Sequence, residues 1–241
     1  MSHAREFKFE VDDALLDAGV TVGVIVIRDI DNRAVDPAFE VFRQARLDEI
    51  LKRESLAALC AHPTLTAYRD LHAHFGVAAA NLVPSPESLF HALCRYGGLR
   101  AINPIVDVYN LVALERRLSC GAHALTELNG AIRLRTTQGG ESFTPLGAKK
   151  AQIVPTGEYA YVDGNERIVC RLECRQAAHS AVTASTRDVV VIVQGNAAVP
   201  AGDVELACTE IEQLCGRYVG KPGGVQRILV TPARVPGRQC A

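Results

Sequence analysis

Ile102-Asn103-Pro104-Ile105-Val106-Asp107-Val108-Tyr109-Asn110-Leu111-Val112 lies where the chain changes character, and its reading sets the fold class. Asn103 before Pro104 predicts a helix start, with the amide as N-cap and proline at the first helical position. That helix is expected to reach about Leu118. Ile102, Ile105, Val106, Tyr109, Val112 and Ala113 form one apolar stripe, and Val108, Leu111 and Leu118 are apolar on another side. Such a helix is expected to be buried nearly all round. Upstream of it the signals are mainly helical, and downstream they are mainly those of strands.

On the upstream side, Val20 to Ile27 is a β-branched run suited to a buried strand. Asp36-Pro37 opens a helix with Phe39, Phe42, Leu47, Ile50 and Leu51 on its apolar side, ending at His62-Pro63. A second helix is expected from Pro63 to about Phe75. A third begins at Ser85-Pro86, with Ser85 as cap, and stops at Gly97-Gly98. Downstream, Ala131 to Thr136 alternates, with Ile132 and Leu134 on one face and Arg133 and Arg135 on the other. Tyr159 to Val162 and Arg167 to Leu172 flank the Asp163-Gly164 turn of a hairpin. Val189 to Val193 is uniformly apolar, as a central strand is. A last helix carries Val204, Cys208, Ile211, Cys215 and Tyr218 on one stripe and ends near Gly220. The remainder, rich in proline and glycine, reads as loop, edge strand or tail. The fold class expected is α+β, with helices layered on mixed, mostly antiparallel sheet.

Twenty-six basic and 27 acidic residues leave a net charge of -1, so no global field draws nucleic acid or anionic membrane. From Gly216 onward, however, Arg217, Lys221, Arg227, Arg234 and Arg238 stand with no acidic residue, a local basic surface. Exposed Arg133 and Arg135 would add to it as nucleic-acid contacts. No apolar run approaches the ~20 residues of a membrane span. Eight cysteines without an export signal read as thiols, and the expected compartment is the cytoplasm. The expected organisation is an N-terminal strand-helix portion over residues 1–63, a main domain over 64–220 and a basic C-terminal segment over 221–241.

Asn103, Asp107 and Asn110 fall at i, i+4 and i+7, a polar stripe on an otherwise apolar helix. Either it lines a cavity and binds substrate, or Asn103 caps the helix while Asp107 and Asn110 tie down loops. His123 follows in Ser119-Cys120-Gly121-Ala122-His123, read as a small-residue turn that admits close approach by a ligand. It is the candidate general base, beside the ordinary alternative of a packing histidine. Cys120, His123, Cys170 and Cys174 would supply zinc ligands if loop met strand, yet their spacing fits no ordinary zinc site, and no metal is expected. Cys208 and Cys215 read as core. GxxxxGK[ST], GxGxxG and GxSxG are absent from the sequence, which leaves nucleotide cofactors and an α/β-hydrolase nucleophile without support.

An ordered set of phrases resembles free-standing B3/B4 domain proteins, relatives of the tRNA-facing editing module of the phenylalanyl-tRNA synthetase β subunit. It runs from Tyr68-Arg69-Asp70 through Pro84-Ser85-Pro86-Glu87-Ser88-Leu89, the Asn103 helix, Gly121-Ala122-His123 and Gly140-Glu141-Ser142-Phe143 to Arg175-Gln176 and Thr183. The resemblance implies β/β/α layering and binding of the aminoacylated 3′ end of tRNA, with hydrolysis of a mischarged aminoacyl ester as the enzymatic form. The alternatives are a module that binds tRNA or an amino-acid-like ligand without chemistry, and a purely structural role for the polar stripe. In the enzymatic form His123 positions water, Asn103, Asp107, Asn110 and Gly121 hold the substrate, and Asp107 or Arg175 meets its ammonium or ester. No cofactor is implied. Gly121 stands where the synthetase domain carries a histidine, and Val191 and Ile192 where it carries a glutamate that recognises tyrosine.

Overall fold

The computed structural model describes residues 6–33, 36–77 and 82–232. Arg234 and Arg238 of the expected basic segment lie outside the described residues. Two sheets and a helical layer stack in the order β/β/α, the α+β arrangement expected.

The middle layer is a four-stranded sheet formed by β2 (Thr21–Arg28), β3 (Ser119–Ala124), β10 (Val189–Gly195) and β11 (Gly224–Val230), ordered β11-β2-β10-β3 and antiparallel throughout. Its two inner strands explain their own composition. Val189, Val191 and Val193 of β10 and Ile25 and Ile27 of β2 face the helices. Val190 and Ile192, with Val22, Val24 and Val26, face the second sheet. A strand covered on both faces has no solvent side to make polar, hence the unbroken apolar runs. Gly23 lets α7 (Ala201–Tyr218) press onto β2: a Cβ there would come within 2.4 Å of the Cys208 Sγ.

The outer sheet is five-stranded, ordered β1-β4-β7-β8-β9, from β1 (Phe9–Val11), β4 (Ile132–Thr136), β7 (Tyr159–Asp163), β8 (Ile168–Arg171) and β9 (Arg175–Gln176). Ile132, Leu134, Tyr159, Tyr161 and Val169 point inward against the middle sheet. The short hairpin β5 (Ser142–Phe143) and β6 (Gln152–Ile153) supplies Phe143, which packs with Val162 and Ile168 on the outer face.

On the other side, α6 (Pro104–Arg116) and α7 cover the middle sheet. Further helices, α2 (Pro37–Arg53), α3 (Leu56–Cys60), α4 (Pro63–His74) and α5 (Ser85–Tyr96), pack beyond them. The Asp36 and Asn103 side chains cap α2 and α6 as the sequence predicts, each followed by proline, and the His62 side chain caps α4 in the same way.

Several local readings are corrected. Ser119 to His123 is strand β3 and not a turn: α6 ends at Arg117, in the left-handed region at φ 56°, and the chain enters the sheet within two residues. The helix expected to run to His62 breaks at Glu54, and Ser55 caps the short α3. Ser85 is the first residue of α5 and not its cap. The first described residues, for which the sequence reading names no element, contain β1 and the single-turn α1 (Asp13–Asp17). Gly224–Val230, where the sequence reads as loop, edge strand or tail, is an edge strand paired with β2.

Candidate functional site

Strand β3 is an edge strand, and its open side is closed by the segment that continues from β8 in the outer sheet. The Ser119 hydroxyl donates to the Glu173 carbonyl at 2.9 Å, the Gln176 amide donates to the Ala122 carbonyl, and the Ala124 amide donates to the Ser180 carbonyl at 2.9 Å. Along this seam lies a cavity of about 250 Å³. Asn110 enters it from α6, Gly121 and His123 from β3, Cys170 from β8, Glu173 and Cys174 from the turn after it, and Gln176 from β9. A recess of about 20 Å³, room for roughly one water, extends inward past His123 to Gln194. The Gln194 Oε1 accepts from the Tyr161 hydroxyl, while its buried Nε2 has no hydrogen-bond partner.

The alternation of a strand aims Gly121 and His123 to the same side. A Cβ at Gly121 would meet nothing within 4 Å, so the missing side chain is space given to the cavity. His123 is 2% exposed, and its Nδ1 lies 2.9 Å from the Ser180 hydroxyl. Burial, helped by neighbouring His179, pushes its pKa down to about 3. The ring is therefore neutral at physiological pH and a weak base. Burial also raises the thiols of Cys120, Cys170 and Cys174, which are protonated near neutrality.

The polar stripe of α6 is divided. Asn110 reaches the cavity. Asn103 caps the helix, its Oδ1 accepting from Val106 at 3.2 Å and from the Asn32 amide at 3.0 Å. Asp107, 2% exposed, accepts from the Ile102 amide at 3.1 Å and pairs with Arg43 at 3.3 Å. Burial raises its pKa to about 6, with the Ile102 amide and Arg43 pulling against that rise. Neither Asn103 nor Asp107 lines the cavity. Arg175 is exposed and lines a different groove of about 720 Å³, beside the Glu158–Arg171 ion pair.

The expected basic contacts also divide. Arg135 is buried and paired with Glu141 and Glu166, where exposure was expected. Arg133 is exposed and pairs with Asp12 at 2.7 Å, and Arg227 with Glu212 at 2.7 Å. Arg217 lies over the Tyr218 ring at 4.9 Å, and Lys221 is exposed.

Cys120, His123, Cys170 and Cys174 do line one cavity. Among the described residues, however, the ligand atoms that lie within 4.8 Å of one another belong to His72, Glu173 and Cys174, and on the helical face to Cys60, Glu87 and His91. Glu173, Gln176 and Gln194 are site residues that sequence reading misses. The legible signals were small: a lone carboxylate between Leu172 and Cys174, and an amide closing an otherwise apolar strand.

Fold and cavity together define a layered α+β domain with a small pocket at the seam of its two sheets. The chain belongs to the B3/4 domain family, whose profile matches residues 67–201. It is 30% identical over 106 residues to the phenylalanine–tRNA ligase beta subunit of Pseudomonas savastanoi pv. phaseolicola, covering 44% of this chain and 13% of that subunit. Against the Chromobacterium violaceum beta subunit it is 30% identical over 114 residues, covering 47% of this chain and 14% of that one. The chain thus spans a small fraction of the length of these relatives. An N-terminal fragment of the phenylalanyl-tRNA synthetase beta subunit from Pyrococcus horikoshii aligns with TM-score 0.50 at 13% identity, covering 93% of this chain and 54% of the fragment. At that identity the likeness speaks for the fold alone. Among the described residues no helix is long and apolar enough to cross a membrane.

Proposed function

We propose that the protein binds the aminoacylated 3′ end of tRNA, places the amino acid in the cavity lined by Asn110, Gly121 and His123, and hydrolyses a mischarged ester. The observation that carries this reading is the cavity itself, formed by elements inside the family-matched segment. Its volume lies below the ~300–1,000 Å³ typical of cofactor and drug-sized ligands, which suits an amino-acid-sized group and not a nucleotide cofactor. Asn110 and Gln176 offer amides to the amino acid. An aminoacyl ester is already activated, so hydrolysis requires a positioned water and a polar setting for the developing oxyanion. His123, held neutral against Ser180, suits hydrogen bonding to that water better than proton abstraction from it. The same feature favours a second reading, a module that binds without chemistry.

Incubation with a panel of tRNAs carrying labelled wrong amino acids, following both retention and ester loss, tests the proposal. Gly121→Val is the matched control, because a strand tolerates valine and the added methyls enter open space. Wild type is expected to bind and deacylate. The variant should keep its stability and lose roughly 10²-fold in turnover through a displaced substrate. Binding without ester loss would leave the module reading standing. No binding at low salt would sink both.

Contacts to phosphate from the exposed Arg217, Lys221 and Arg175 would make the tRNA affinity salt-dependent. Through counterion release, log affinity should fall linearly with log salt, with a slope of about -0.9 per neutralised phosphate in duplex and about -0.7 in single strand. A flat titration would remove these residues from the interface.

A further inference from the structure

His72 is only 1% exposed, and both of its ring nitrogens face acceptors. Nδ1 lies 3.2 Å from the Leu82 carbonyl oxygen, and Nε2 lies 2.9 Å from each carboxylate oxygen of Glu173. A carbonyl cannot donate, so Nδ1 carries the proton. In a neutral ring Nε2 would then point a lone pair at a carboxylate, a contact between two acceptors. Something positive has to lie at that junction, either a second proton or a metal ion.

The third group present distinguishes the two. The Cys174 thiol, a ring nitrogen of His72 and a carboxylate oxygen of Glu173 all lie within 4.8 Å of one another. Nitrogen, oxygen and sulfur gathered in this way are the donors of a zinc-type centre with three protein ligands. The contacts around them are those a bound metal uses. A backbone carbonyl holding Nδ1–H fixes the imidazole so that Nε2 points at the ion, and the Tyr159 hydroxyl donates to Glu173 and fixes the carboxylate. One carboxylate and one thiolate would neutralise a divalent charge, which a buried position requires.

We propose that His72, Glu173 and Cys174 bind a zinc-type divalent ion at the wall of the cavity. Glu173 and Cys174 line that cavity, so the remaining coordination position opens into it. Binding forms one bond each from nitrogen, oxygen and sulfur to the metal, and releases to solvent the thiol proton of Cys174 and any proton on Nε2. This inference does not depend on tRNA as the partner.

The test uses the untagged full chain, equilibrated with zinc and then freed of excess. Elemental analysis is expected to find about one zinc per chain. Cobalt(II) in its place should give the charge-transfer absorption of a thiolate ligand. Cys174→Ser, at a half-buried position that should still fold, is expected to lose that absorption. Tyr159→Phe, which removes the hydroxyl that holds the Glu173 carboxylate, should weaken zinc binding roughly 10–100-fold. Failure to bind zinc or cobalt would overturn the proposal and leave an imidazolium–carboxylate pair. A thiolate–cobalt absorption that survives Cys174→Ser would place the metal elsewhere and overturn it equally. Either result can occur whether or not tRNA binds, so the two proposals fail separately.

Discussion

Asp107→Ala is expected to lower the unfolding free energy by about 3 kcal/mol while leaving ligand binding by the folded protein unchanged. Asp107 and Arg43 are both almost fully buried, at 2% and 8% side-chain exposure. Removing one partner of a buried pair costs about 3–5 kcal/mol, because the other charge is left without compensation. The lower end applies here, since Arg43 keeps Glu40 at 2.8 Å. The Ile102 amide also loses its acceptor, an effect of the same sign. Asp107→Asn retains an acceptor for Ile102 and should cost less. Urea unfolding measures the stabilities, and binding is measured below the transition. If Asp107→Ala kept its stability and lost binding, Asp107 would return to the substrate site.

That expectation chooses between two readings the sequence leaves open for the polar stripe, and the reason is geometric. Helical periodicity places Asn103, Asp107 and Asn110 on one stripe, but a stripe about 10 Å long, at the α-helical rise of ~1.5 Å per residue, need not face one thing throughout. Here its first turn meets Asn32 and Arg43, and only the next turn reaches the sheet seam. The strands were more legible. Both-face burial of β2 and β10 writes itself into continuous β-branched runs, and the caps before Pro37 and Pro104 mark their helices because each side chain accepts a backbone amide. Short β1, β5, β6 and β9 carry too few residues for a period to emerge. Ser119 to His123 was misread because small residues signal a turn, whereas in this fold they keep an edge strand thin beside a cavity. Glu173, Gln176 and Gln194 acquire meaning only when the two sheets meet, a contact between distant segments that no local pattern encodes. Arg135 makes the same point: alternation assigned it to the outward face correctly, but Glu141 and Glu166 close over that face.

His123 yields the second large effect, a stability that depends on pH with a sign fixed by burial. Its folded pKa is about 3, against an ordinary value of 6.5. Between those values the unfolded chain binds a proton that the native ring refuses, so this residue's contribution is present above about pH 6.5 and is lost as pH falls. The loss approaches about 1.4 kcal/mol per pH unit within the window. Asp107 acts oppositely: raised from 3.8 to about 6, it takes up a proton earlier in the native state and favours folding as pH falls across that interval. Wild type should consequently show a shallow acid slope between about pH 6 and 4, where the two oppose. His123→Gln removes one contribution and keeps the other, so its stability relative to wild type should rise as pH falls. The difference between the two proteins is the quantity to read, since His72, His179 and the remaining groups are common to both. Denaturant unfolding at several pH values from 7 to 4 provides it. Equal slopes for wild type and His123→Gln would mean that the ring ionises normally, and the case for a neutral, hydrogen-bonding His123 in the cavity would fall with it.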